Sequence, residues 1–178
     1  MTGVKKITLT ALFTALGILI PIVFHTNPMF GRVFLPMHIT VIVCAMITGP
    51  YRGMICAALT AFISSIVTGM PPIYPVGVIM IFELITYASV AGILTKILIV
   101  RINKIAALYT ALIAAMLAGR IIMGAASVIF IGLIGNGYSM KAFITAAFIT
   151  ALPGIIIQLA IIPWIILVLR KYLALNYE

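Results

Sequence analysis

The sequence predicts an all-α integral membrane bundle of six transmembrane helices, with both termini on the cytoplasmic side. Three observations carry that expectation. Of 178 residues, 65% are hydrophobic and only 7% are charged, against a charged share of ~25% in an ordinary soluble domain. A soluble fold of this size exposes too much surface to hide so many apolar side chains. Long apolar stretches recur along the chain at lengths suited to a ~30 Å hydrocarbon core. Basic residues gather in alternate connections, which is the pattern of a multi-pass protein obeying the positive-inside rule. Composition thus excludes a cytosolic enzyme, a nucleic-acid-binding domain and a disordered chain.

The apolar stretches number six, at about 7–24, 34–49, 54–68, 76–100, 105–134 and 142–169. The second and third are short for a full crossing at 1.5 Å rise per residue. Between them Gly49-Pro50-Tyr51-Arg52-Gly53 reads as a tight turn closing a helical hairpin. The last two are long enough to tilt or protrude. The first run follows Lys5 and Lys6 but ends in Pro21, His25 and Asn27. It lacks the small-residue cleavage site of a signal peptide, and we read it as a retained helix. No repeat, linker or low-complexity tract divides the chain, so residues 1–178 are expected to form one membrane domain.

Orientation comes from the cations. With the N-terminus inside, Lys5, Lys6, Arg52, Lys96, Arg101, Lys104, Arg170 and Lys171 fall on the inner side, and Arg32 and Lys141 on the outer. Arg120 lies within a span and completes the eleven. These residues, which give a net charge of +9, are topology signals scattered among apolar runs, not a nucleic-acid surface. The inner turns are short and basic. The outer loops, at 25–33, 69–77 and 135–139, are irregular. The second holds three prolines and two glycines that should stiffen it into a non-helical path. Polar and aromatic groups on stiff loops suit a lid over a small-molecule site.

Candidate site residues are few because polar groups are few. Glu83 and Arg120 are the only acidic and basic side chains well inside spans, where each costs about 2.5–3.5 kcal/mol on insertion scales. Such groups persist when they pair with each other or line a polar site. Counted from the outer ends of their runs, Glu83 lies ~10 Å deep and Arg120 ~20 Å deep. The tilt of the fifth helix and the reach of arginine would have to close that gap. Tyr87 and Gly124 each follow a charge by one turn and share its face.

His38, after Pro36, sits one turn inside the second span without a second ligand at metal spacing, so no metal site is expected. Gln158, beside Pro153 and Gly154, can either bridge helices or meet a ligand. Tyr74, Asn136 and Tyr138 are polar or aromatic groups on the outer loops. Cys44 and Cys56 lie in apolar runs and read as structural thiols. On the first helix Ala11 and Ala15, one turn apart, make a flat strip that another helix could approach closely. Enzyme signatures are missing: the sequence has no HExxH, GxSxG or P-loop. Two carboxylates in the whole chain, Glu83 and Glu178, leave no paired-carboxylate chemistry.

These features together resemble the substrate-binding (S) component of energy-coupling factor vitamin transporters. Six short-looped spans with both ends inside and Ala11-xxx-Ala15 on the first helix carry the resemblance. So do Leu35-Pro36-Met37-His38-Ile39 followed by Gly49-Pro50-Tyr51-Arg52-Gly53, and Gly69-Met70-Pro71-Pro72 with Glu83 in the next helix. The resemblance covers nearly the whole chain. It implies a subunit that captures a vitamin or vitamin precursor in an outward pocket. That pocket would be formed by helices four to six and closed by the loops after helices one, three and five. It implies partners: a transmembrane coupling protein, which meets the strip at Ala11 and Ala15, and two ATPase subunits. ATP would be used by those partners, and no cofactor by this chain.

Glu83, Arg120, Tyr87, Tyr74, His38, Asn136, Tyr138 and Gln158 are the expected substrate-binding residues. The arginine favours a pantothenate-like acid. Glu83 with the tyrosines favours a nitrogen heterocycle or nucleoside. A non-transporting assembly subunit, or a small stand-alone channel or carrier, are the rival readings.

Overall fold

The computed structural model describes residues 2–24, 36–132 and 144–172. Among them are six α-helices and no strand: α1 (Gly3–Phe24), α2 (Pro36–Thr48), α3 (Pro50–Thr68), α4 (Val78–Leu98), α5 (Lys104–Gly132) and α6 (Leu152–Tyr172). Five segments are long and apolar enough to cross a membrane; α2, with 13 residues, is the short one. α2 is also the most enclosed, since all but one of its residues are buried.

Packing runs outward from the centre. α4 lies mainly against α5, with α3 and α2 also beside it, while α1 covers α2 and α3, and α6 rests on α2 and α5. Small side chains allow the close approaches. A Cβ on Gly17 of α1 would stand 2.7 Å from Thr40 of α2 and from Thr60 of α3, so α1 enters the α2–α3 groove at that point. At the inner end Arg170 of α6 donates from Nη2 to the Met46 carbonyl at 2.8 Å. That bond satisfies one of the last carbonyls of α2, which no helical N–H can reach.

Three local departures from the expected spans have chemical causes. The turn between α2 and α3 shrinks to Gly49 alone, whose φ of +102° few other residues adopt. Pro50 then starts α3, its missing N–H costing nothing at a first helical position. After α3 the chain is non-helical only to Pro72. Ile73–Gly77 forms one wide turn, with Gly77 N–H donating to the Pro72 carbonyl at 2.8 Å. Within it Tyr74 is extended (φ −127°, ψ 136°). The sixth run is not one helix. A wide-turn stretch over Thr145–Thr150 ends at Ala151, and α6 restarts at Leu152. Pro153 explains the break, because it lacks the N–H that a continuous helix would bond to residue 149.

The outer surface of the bundle is apolar. Leu12, Leu19, Phe62, Ile66, Leu117, Ile121, Ile156 and Trp164 are all exposed. In water so continuous an apolar surface is abnormal; around a membrane bundle it is the lipid-facing belt. Cys44 and Cys56 are free and buried, as structural thiols should be.

Candidate functional site

Four buried side chains, Glu83, Arg120, His38 and Tyr87, come together where α2, α4 and α5 meet, toward the side that the basic residues assign to the exterior. Tyr87 sets the register. A Cβ on Gly119 would fall 2.8 Å from Tyr87 Cε2, so the ring of α4 lies directly on the bare backbone of α5. From that level Glu83 is one turn outward on α4. Arg120 extends its side chain along the same turn and donates from Nη1 to Glu83 Oε1 at 2.9 Å. The Nη1 group also lies 3.4 Å from Met123 Sδ, one turn outward on α5. The depth difference counted from the run ends is therefore an artefact of unequal helix ends. Tyr87 against Gly119 fixes the true alignment, and arginine's length covers the remaining turn.

His38 joins this pair from the outer end of α2. Its Nε2 stands 3.5 Å from Glu83 Oε1, and its ring meets Tyr87 edge-on at 5.3 Å between centroids. The four side chains are enclosed: Glu83 is 3% exposed, Arg120 5%, His38 2% and Tyr87 1%.

Hydrogen bonding in the cluster is incomplete. Arg120 Nε and Nη2 and both ring nitrogens of His38 have no hydrogen-bond partner among the described residues. Buried polar atoms are normally satisfied, and each exception asks for an explanation. A site that exists only to lock helices would leave fewer donors idle, since every unmet one costs about 1–3 kcal/mol.

The other expected residues that are described lie elsewhere. Gln158 lies on the buried face of α6 with Gly154 and Ile162, and neither its amide nitrogen nor its oxygen has a partner among the described residues. Tyr74 is outside the cluster and half exposed. Its hydroxyl donates to the Phe130 carbonyl at 3.3 Å and its ring meets Phe130 edge-on at 6.3 Å. Phe130 in turn stacks on Phe82 at 5.9 Å. This aromatic trio ties the segment before α4 to the outer end of α5. Asn136 and Tyr138 lie outside the described residues, as do Arg32 and Lys141. Ala11 and Ala15 are exposed on α1, whereas Gly17 belongs to its opposite, buried face.

Two contributors were not singled out from the sequence. Gly119 provides a close approach to Tyr87, and Met123 flanks the guanidinium. Glycine and methionine are both frequent here, with 14 and 10 copies, so nothing in residue type alone marks these two.

No curated protein and no solved structure matches this chain. A family model described as ECF transporter, substrate-specific component, matches residues 5–169, which is most of the sequence. The match, the helical bundle and its apolar belt agree: the chain belongs to the substrate-specific components of ECF transporters, and is a multi-pass membrane subunit of such an importer.

Proposed function

We propose that this subunit captures a vitamin or vitamin precursor at the outer face and passes it inward with a transmembrane coupling protein and two ATPase subunits. The cluster of Glu83, Arg120, His38 and Tyr87 is the heart of the binding site. The observation that carries this reading is the set of buried, unpartnered donors and acceptors on Arg120 and His38. Gln158 is a further wall residue of the same site. The loop segment around Tyr74, tied to the outer end of α5, serves as part of the closure over it, together with the outer loop that holds Asn136 and Tyr138. ATP hydrolysis belongs to the partner subunits, and this chain needs no cofactor of its own.

The exposed strip at Ala11 and Ala15 supports the coupling-protein contact, since two small residues one turn apart let a second helix approach closely. Small-molecule mass spectrometry of the gently purified subunit tests the capture function. A single compound retained at near one copy per chain is the expected result. An empty protein that also gains no thermal stability from any vitamin-class compound would contradict it.

A further inference from the structure

We propose that the inner turn between α4 and α5 docks anionic phospholipid, with Lys96 and Arg101 taking the headgroup phosphates while the exposed apolar residues around them enter the leaflet. This contact is independent of what the subunit binds at its outer face.

The turn stands further inward than its neighbour. A Cβ on Gly92 of α4 would fall 2.7 Å from Pro50 Cα, so the first residue of α3 is level with Gly92. α4 continues from there to Leu98, which is ~9 Å further inward at 1.5 Å per residue. Half-buried Arg52 marks the level of the α2–α3 turn as the edge of the hydrocarbon, since a cation is costly any deeper. The headgroup layer beyond that edge is about 5–7 Å thick. The α4–α5 turn therefore crosses it.

Charge and exposed apolar surface are mixed in this turn. Lys96 and Arg101 are exposed, and among the described residues no carboxylate pairs with either. Around them Ile97, Val100, Ile102 and Ile105 are exposed as well, Val100 at 67% and Ile105 at 54%. The backbone is held by its own hydrogen bonds. The N–H groups of Arg101 and Ile102 both donate to the Leu98 carbonyl, at 2.9 and 3.0 Å. The Ile105 N–H donates to Asn103 Oδ1 at 2.9 Å and so caps α5.

The two kinds of surface together select the occupant. A free anion would meet the cations and leave the apolar side chains in water. A zwitterionic lipid would cover the apolar side chains and give the cations no net charge. An anionic phospholipid satisfies both, with phosphate on Lys96 and Arg101 and acyl chain against the apolar groups. An acidic protein surface is the competing occupant. The strip proposed for the coupling protein, however, lies on α1, which packs on α2 and α3, whereas this turn leads into α5, which packs mainly on α4. The turn is set apart from that contact and left beside lipid.

Nanodiscs holding phosphatidylglycerol and phosphatidylcholine in equal amounts provide the test, with native mass spectrometry of the whole subunit counting the lipids that stay bound. Wild-type protein should retain the anionic lipid over the zwitterionic one by about tenfold or more. Lys96→Gln with Arg101→Gln should lower that preference to about threefold or less, while Lys5→Gln with Lys6→Gln, on α1, keeps it at the wild-type level. Either single variant, Lys96→Gln or Arg101→Gln, should lose about threefold by itself, which decides the matter if the double variant does not fold. Millimolar inorganic phosphate in a phosphatidylcholine nanodisc should leave the melting temperature unchanged.

No preference in the wild type, an undiminished preference in the Lys96 and Arg101 variants, or an equal loss in the α1 variant would each overturn the proposal. So would stabilisation by phosphate alone, which marks a free-anion site. A double variant that loses its partner subunits but none of its bound lipid would overturn it too, and mark the turn as a protein contact.

Discussion

Glu83 and Arg120 were visible in the sequence because ionised side chains within apolar spans are too costly to be incidental. Their partnership with His38 and Tyr87 followed less directly. It depends on a register that only the contact of Tyr87 with Gly119 fixes, and one glycine among 14 carries no mark of that role. The contact makes a sharp prediction. A methyl group at residue 119 would lie within 2.9 Å of three atoms of the Tyr87 ring, closer than carbon atoms pack. The buried ring has nowhere to retreat without moving His38. Gly119→Ala should therefore cost about 1–3 kcal/mol of stability and weaken retention of the copurifying compound. A melting temperature and occupancy both equal to wild type would show that the ring does not set the site.

At the scale of helices, apolar runs located all six; most ends moved by a few residues, but the last helix begins at Leu152, ten residues past the start of its run. The ends moved where backbone chemistry competes with hydropathy. Pro153 breaks a run that is apolar on both sides, and Pro50 extends a helix backward into what looked like a turn. Hydropathy has no term for either effect. The strip on α1 was legible as small residues at one-turn spacing, but not which of its neighbours shared the face. Gly17 turned out to serve the bundle, while Ala11 and Ala15 remain exposed. The two faces thus divide their labour, one packing inside and one offered outward. Ala15→Trp should lower uptake by the assembled transporter about tenfold or more by blocking helix approach, while occupancy of the isolated subunit stays unchanged. Uptake at the wild-type rate would remove α1 from the coupling contact.

The whole molecule has a simple electrostatic plan. Cations at the inner turns hold the orientation, among the described residues the belt's exposed middle carries no ionised group, and the Glu83–Arg120 ion pair is sealed between α4 and α5. A bundle so arranged can shift within the membrane without dragging a bare charge through hydrocarbon. That plan was readable from the placement of twelve residues, the eleven cations and Glu83. What no sequence pattern revealed is that the ion pair keeps donors in reserve, since hydrogen-bond satisfaction is a property of geometry. Those idle donors are what supports the proposed binding site over a structural lock, and a charge-neutral replacement tells the two apart.

Glu83→Gln combined with Arg120→Met removes both charges at once and so avoids the cost of a single stranded ion. Occupancy by the copurifying compound, measured by mass spectrometry alongside the melting temperature of the same preparation, is the decisive measurement. The account predicts a melting temperature near wild type with occupancy reduced about 100-fold, the equivalent of losing one or two charge-assisted hydrogen bonds. Full occupancy in the double variant would contradict it and leave the pair as a fastening between helices.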